Sequence, residues 1–478
     1  MLTSLISTAL RGHGDRVAVT DHQTSLTYRE LAALADTTAR ELTAVLPSAG
    51  PARVGLLAGN SADYVVLYLA LLRAGCVPFL IDSTSGPDET TAVVADCGLD
   101  LLLHETDKPL PETATPRGTS RRFGVAAFPA RPDRPELDDR TEVCRFTSGS
   151  TGRPLCIEFS GQAVHRAALG WAEGTGLTGA DSIACFASLS NGLAFNTSLL
   201  AAFLTGARLH LGRGLPTATR VARTLAGSRA TRLVGFPALY ESLARRAPDR
   251  DAFRLLRVAV SSAAPLSGQT RRQFTDLTGV PVHNYYGVAE AGPLTFAADP
   301  GHDPGLGQPL PGVSLRAGTD GEPGPIEVRS PSMGTRYLNA PGVLAGRTTA
   351  DGHYRTGDLG YLDRGSLVLT GRLSQLVNVG GRKVDAVQVA EALRRADGVR
   401  DAVVLQVPDR HGDGALGAVL AGDASLDPGA VRRQVAGQLA AHKVPTLLRV
   451  VAEIPRGSTG KPAMAELRRL FEQPQVPA

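Results

Sequence analysis

Cysteine is sparse in this chain: five in 478 residues, at Cys76, Cys97, Cys144, Cys156 and Cys185, with no CxxC pair. An odd, scattered set excludes a disulfide framework and offers no zinc site, so a reducing cytoplasm is the expected setting. Long apolar runs are missing as well. The longest, YVVLYLALL at 64–72, stops at Arg73, short of a membrane span. The N-terminal MLTSLISTALRGHGDR has no basic leader region and no small-residue cleavage site, so neither secretion nor a membrane is expected. Charge of one sign is missing too: 50 basic against 46 acidic residues leave a net +4, without a Lys/Arg block. Nucleic acid is therefore not an expected partner. Neither GxSxG nor HExxH occurs, which removes two hydrolytic classes.

What is present suits an α/β enzyme. The length exceeds one ordinary core, and 43% apolar residues can bury two or more domains. LTYRELAALADTTARELTAVL (26–46) opens with Thr27 and Glu30 at capping-box spacing and sets Leu31, Leu34, Thr38 and Leu42 on one helical stripe. ARVGLLAGN then predicts a buried strand, SADYVVLYLALLRAG a helix started by Ser61 and closed by Gly75, and CVPFLID a second strand. Strand, helix, strand implies a parallel pair. The alternation recurs in SIACFAS, NTSLLAAFLTG and ARLHLG, and again in TRLVGFP, ALYESLARRA and LLRVAVSS. Residues 1–371 thus read as a large α/β body with parallel sheets and 372–478 as a small α+β domain, with 105–140, rich in Pro, Arg and Asp, as a surface loop.

TSGSTG (147–152) carries four hydroxyls and two glycines in six residues. Such loops turn backbone N–H groups onto phosphate, although a flexible surface turn has the same composition. It is not a Walker A loop, because Arg153, Pro154 and Leu155 follow where a lysine is needed. GDGALG (412–417) matches a dinucleotide fingerprint in letters only; the apolar, glycine-closed AVLAG behind it indicates a hairpin, not a helix. NYYGVAEAG (284–292) puts Glu290 in a turn after the strand end VPVH, and YRTGDLG (354–360) puts Asp358 in a tight turn. Arg372 follows in GRLSQLVNVGGRKV, and PRGSTGKPA (455–463) presents Lys461 on a glycine-bearing loop. Singly, each has an ordinary reading: a turn carboxylate is a cap, and a lysine is solvated.

In this order, from LTYREL to GKPAMAELRRL, the stretches resemble the adenylate-forming superfamily of acyl- and aryl-CoA synthetases, nonribosomal-peptide adenylation domains and luciferases. The resemblance implies a large N-terminal adenylation core and a small, mobile C-terminal lid that carries a catalytic lysine. It implies ATP and Mg²⁺: a carboxylate attacks the α-phosphate, pyrophosphate leaves, and a thiol then displaces AMP. By the same resemblance Thr147, Ser148, Gly149, Ser150, Thr151 and Gly152 grip phosphates, and Glu290 helps hold Mg²⁺. Ala263, Ala264 and Pro265 of SSAAPL, with Tyr286 and Gly287, wall the adenine. Asp358 accepts the ribose hydroxyls, Arg372 makes a second ribose contact, Ser374 is the hinge, and Lys461 bridges the substrate carboxylate and α-phosphate.

The chain departs from the family pattern at four places: Leu155 for the usual lysine, Ala289 for threonine, Ser374 for Asp or Lys, and Leu189 where many CoA ligases carry His. Arg153 is a second candidate cation at the loop. The implied acid pocket is Leu189, Asn191, Phe236, Ser262, Tyr285, Gly287 and Val288, with Trp171 and Phe195 expected in core packing. No carboxylate occurs between 182 and 212 to pair with an ammonium, which disfavours an α-amino acid and favours a small aryl or short-to-medium acyl acid. The acceptor stays open between a carrier-protein phosphopantetheine, towards which the departures lean, and CoA. A non-thiol acceptor such as an amine and a catalytically silent nucleotide-binding homologue remain as other classes.

Overall fold

In a computed structural model of the chain, the described residues are all except 48–50, 148–153, 215, 263–265, 302–304, 321, 373–375, 380–381, 408–414, 437, 440–442, 458–460 and 473–478. They form two compact units, Met1–Leu315 with Val328–Tyr354, and Arg316–Glu327 with Arg355–Ala478. Both mix helices and strands.

The first unit holds two large sheets. In the nine-stranded sheet the strands Val282–Val288, Val258–Ser261, Arg232–Gly235, Ser182–Cys185, Arg208–Leu211 and Val17–Thr20 lie side by side and parallel. In the eight-stranded sheet Thr141–Thr147, Val77–Ile81, Arg53–Leu57 and Leu101–His104 form the parallel centre. The alternating strand and helix segments of the sequence produce this arrangement, since a right-handed crossover through a helix returns the chain parallel. Ser61 starts the helix Ala62–Arg73 by accepting from Tyr64 N, and the capping box of Thr27 and Glu30 starts Tyr28–Thr43. That second helix turns Leu31, Ala35, Thr38 and Leu42 inward, while Leu34 is only half-buried.

The second unit is built on the hairpin Tyr354–Asp363 and Ser366–Arg372, which shares a four-stranded sheet with Gly324–Arg329. Pairing groups 316–327 and 355–371 with the C-terminal residues in this second unit. A three-stranded sheet follows, with Asp401–Val407 antiparallel to Ala415–Ala421 and Leu447–Val451 parallel to it. Val389, Leu393, Val404, Leu420 and Val431 form a core on one side, and Leu405, Val419 and Leu467 on the other. The GDGALG stretch joins the two antiparallel strands, Val407 facing Ala415, as its apolar continuation indicated; 408–414 lie outside the described residues.

Three local expectations are corrected. Residues 105–140 contain a hairpin, Thr115–Ser120 with Phe123–Ala127, at the edge of the eight-stranded sheet. Pro116 and the polar neighbours that suggested a loop suit an edge strand, which needs no full ladder. The strand expected to end at VPVH runs on to Val288, so only residues 289–291 turn. Asp358 is likewise in a strand and not a tight turn, because Asp358–Asp363 pairs with Ser366–Arg372, with a register shift at Leu359/Gly360. No helix among the described residues is long and apolar enough to cross a membrane.

Candidate active site

The candidate acid-binding residues gather at the carboxyl ends of neighbouring parallel strands. Gly235, Ser261 and Asn284 are register partners across three strands, so Phe236, Ser262 and Tyr285 follow one step beyond on the same rim. Leu189 and Asn191 lie just past the end of the next strand, Ser182–Cys185. In open parallel sheets this is where ligands bind. Ser262 Oγ donates to the Tyr285 carbonyl at 3.3 Å, and the Trp171 ring packs edge-on to Tyr285 at 5.2 Å, so Trp171 is core support behind the rim. Gly287 is required by close approach: a Cβ there would stand 2.7 Å from Gly292 O and 2.8 Å from the Tyr285 ring. Val288, half-buried, closes the strand.

The loop that carries Leu189 is held by a residue the sequence reading passed over. Asn60 Oδ1 accepts from Leu189 N at 2.9 Å while its Nδ2 donates to Ala187 O at 2.8 Å. Asn191 spends its own Oδ1 capping the next helix, accepting from Leu193 N at 2.9 Å, so its side chain serves the fold first. Phe236 is half-buried and sits at the start of the helix Pro237–Arg246.

TSGSTG connects an antiparallel pair: Thr147 ends one strand and faces Leu155, which begins the next. Ser148–Gly152 and Arg153 lie outside the described residues, as do Ala263–Pro265 and Ser374. The exit of the loop is clamped by Asn339, whose Nδ2 donates to Pro154 O and whose Oδ1 accepts from Cys156 N, both at 2.9 Å. Two residues earlier, Tyr337 pairs with Ile157 and sends its hydroxyl to Glu290 Oε1 at 2.5 Å. Gly334 N reinforces the contact by donating to the Glu290 carbonyl at 2.7 Å. One edge strand thereby ties the Glu290 turn of one sheet to the strand leaving the glycine-rich loop in the other. Burial first, then the Glu290 carboxylate, pushes the Tyr337 phenol far up, so it stays a neutral donor at any working pH. Tyr354 and Arg347 stand behind it, the Arg347 guanidinium held up chiefly by its hydrogen bond with Tyr354.

Among the described residues no cluster of three or more His, Cys, Asp or Glu could hold a metal alone. One oriented carboxylate does fit Mg²⁺, which is commonly held by one or two carboxylates plus substrate phosphates. Tyr337→Phe removes the donor that aims Glu290 without touching its charge. The expected result is a loss of about 10-fold in apparent Mg²⁺ affinity during turnover, in line with outer-shell partners elsewhere, read from the Mg²⁺ dependence of rate at fixed ATP.

In the second unit Asp358 and Arg372 are direct partners across the hairpin, and Arg372 Nε donates to Asp358 Oδ1. Asp358 is 2% exposed, while the Arg372 side chain is about half-exposed. Lys461 is exposed on a loop closed by Gly457 N donating to its carbonyl at 2.8 Å and by a bridge between Arg456 and Pro462.

A strand rim carrying Phe236, Ser262 and Tyr285, with an oriented carboxylate in the turn beyond it, is the kind of site a ligand-binding α/β enzyme presents. A model of the AMP-binding enzyme family matches residues 6–338, and the chain belongs to that family. It is a member of the adenylate-forming superfamily and an AMP-forming acid–thiol ligase. The 3-hydroxybenzoate–CoA ligase of Aromatoleum is 28% identical over 97% of this chain and 95% of its own. The anthranilate–CoA ligase of Pseudomonas aeruginosa is 30% identical over 88% of this chain and 87% of its own. ATP-bound MatB from Rhodopseudomonas palustris superposes with a TM-score of 0.85 at 24% identity, covering 99% of both chains.

Proposed function

We propose that the chain activates a small aryl or acyl carboxylic acid with MgATP and transfers the acyl group to CoA. The carboxylate oxygen bonds to the α-phosphorus as the bond to the pyrophosphate oxygen breaks. The thiol sulfur then bonds to the acyl carbon, the acyl–phosphate C–O bond breaks, AMP departs, and the thiol proton passes to solvent. The observation that carries this reading is the alignment of Phe236, Ser262 and Tyr285 on one strand rim, with Glu290 fixed in the turn beyond.

Each residue then has a task. Leu189, Asn191, Phe236, Ser262, Tyr285, Gly287 and Val288 shape the acid pocket, and Ala263–Pro265, Tyr286 and Gly287 receive the adenine. Thr147–Gly152 offer hydroxyls and N–H groups to the outer phosphates, with Asn339 fixing the loop's exit. Asp358, oriented by Arg372, accepts from the ribose hydroxyls. Bound Mg²⁺ at Glu290 supplies charge neutralisation of the phosphates. Lys461 brings the lysine that TSGSTGRPL lacks, on the lid formed by 372–478, with Ser374 as its hinge.

CoA is favoured as acceptor by the activities of relatives matched over most of their length. A carrier-protein phosphopantetheine is the second reading, supported by a 28% identical match of 96% of this chain to 6% of a nonribosomal peptide synthetase, CymA, of Salinispora arenicola. ATP–pyrophosphate exchange over a panel of aryl and short acyl acids tests the activation step. Acid-dependent exchange is expected. Absence of exchange with every acid would make the chain a silent nucleotide-binding homologue.

A further inference from the structure

Arg145 stands outside every role assigned above. It lies in the interior of the eight-stranded sheet, on Thr141–Thr147, with Leu80 and Ile157 as register partners. Only 4% of it is exposed. Its guanidinium carbon is 4.3 Å from the centre of the Phe159 ring and 5.5 Å from that of Phe195. Stacking covers the faces of a guanidinium, but its N–H groups point outward in the plane and need acceptors. Nε is buried with no partner, and the guanidinium makes no ion pair among the described residues. The following stretch, Ser148 to Arg153, contains no carboxylate either. Burial pushes the guanidinium down to about 10, which leaves it cationic at neutral pH. The Glu290 carboxylate acts on the guanidinium electrostatically but forms no ion pair with it among the described residues and is already held by Tyr337, so the buried cation has no direct partner, a costly arrangement that marks functional sites.

The surroundings belong to the acid side of the site. Gly192 follows Asn191, and a Cβ at 192 would fall 2.4 Å from Arg145 Nη1, so the glycine makes the guanidinium's room. The helix that starts there passes at once into a π-helical stretch, Phe195–Leu200, a geometry concentrated at functional sites. Tyr68 meets the same Phe195 ring edge-on at 5.5 Å, and its hydroxyl is buried without a partner among the described residues. Both amide atoms of Asn196, the next residue on the helix, are also buried and unpartnered among the described residues.

We propose that Arg145 is the receptor for a second anionic group on the acid, so that the substrate is a dicarboxylate or an acid of equal charge. One carboxylate is activated; the other pairs with Arg145 and accepts from the Tyr68 hydroxyl. The inference rests on the acid-activating reading and narrows its substrate class. A neutral acceptor would satisfy an N–H group but leave the buried cation without a directly paired anion, Glu290 acting on it only from beyond ion-pair distance. The nucleotide's phosphates are the other available anion, but the contacts of Arg145 with Gly192 and Phe195 put it beside the acid rim.

The test is ATP–pyrophosphate exchange with matched pairs, isophthalate against meta-toluate and glutarate against pentanoate, on wild type, Arg145→Met and Gly192→Ala. Wild type is expected to favour the dianion, and Arg145→Met to cut that preference by about 10²-fold, the scale of a lost charged hydrogen bond. Gly192→Ala, which displaces the guanidinium, should cut it in the same direction. Arg145→Met should not lower the melting temperature, since an apolar chain replaces an unpaired buried cation. No preference for the dianion in either pair, or an equal loss for both members in Arg145→Met, would overturn the proposal. So would a defect confined to KM for MgATP, which assigns Arg145 to the nucleotide. Calorimetric binding of isophthalate and glutarate without ATP separates the two readings. Binding that Arg145→Met abolishes, in a wild type that exchanges with nothing, would sink the activation reading and keep the receptor.

Discussion

Lys461→Ala is expected to slow acyl-adenylate formation by about 10²–10³-fold, the scale of removing one preorganised charge contact from a developing transition state. The reasoning starts from an absence. Arg153, Pro154 and Leu155 follow TSGSTG where a phosphate-loop lysine would stand, so less positive charge is available at the loop itself. Lys461, exposed on its bridged loop near the C-terminus, is the cation proposed to meet the attacking carboxylate and the α-phosphate. Negative charge builds on those oxygens only while the first bond forms. Thioester formation from supplied acyl-adenylate has no such need and should survive. Single-turnover measurement of each half-reaction separates them, and equal loss in both would show that Lys461 serves the fold or general binding.

Asp358→Ala should lower kcat/KM for ATP by about 10²-fold, in the range of losing a charged hydrogen bond to bound substrate, with KM for the acid much less affected. Asp358 is 2% exposed and faces Arg372 across the hairpin, so its carboxylate is held in one place before any ribose arrives. Arg372→Ala should cost less, because that side chain is about half-exposed and solvent screens what it contributes. Steady-state kinetics with each substrate varied in turn gives the split. A parallel rise in KM for acid and ATP would place Asp358 in general scaffolding.

Much of the fold was legible because its signals are local. Thr27 with Glu30, and Ser61 before an apolar run, cap helices through bonds within three residues, and the strand–helix–strand order then dictates parallel pairing. The parts that escaped are set by pairing at long range. Nothing within NYYGV says that it continues a strand, since Tyr285 and Tyr286 pair with Phe296 and Thr295 on a segment that follows the turn. Segment 316–327 joins the C-terminal unit only because strand Gly324–Arg329 meets the Asp358 hairpin. Among site residues, the charged motifs stood out by type and order, whereas Tyr337, Asn339 and Asn60 act through contacts 47, 185 and 129 residues away. Arg145 did leave a local trace, an arginine inside the strand TEVCRFT, but only the fold shows that it is buried with Nε unpartnered among the described residues.

The central claim is that the chain joins a small acid to a thiol through an adenylate. Its most direct test is the mass of the product formed from an exchange-active acid, MgATP and CoA, with a phosphopantetheinylated carrier protein and simple amines in parallel. The account predicts an acyl-CoA accompanied by an equal amount of AMP. An amide, or AMP formed with no acyl-thiol in any arm, would contradict it.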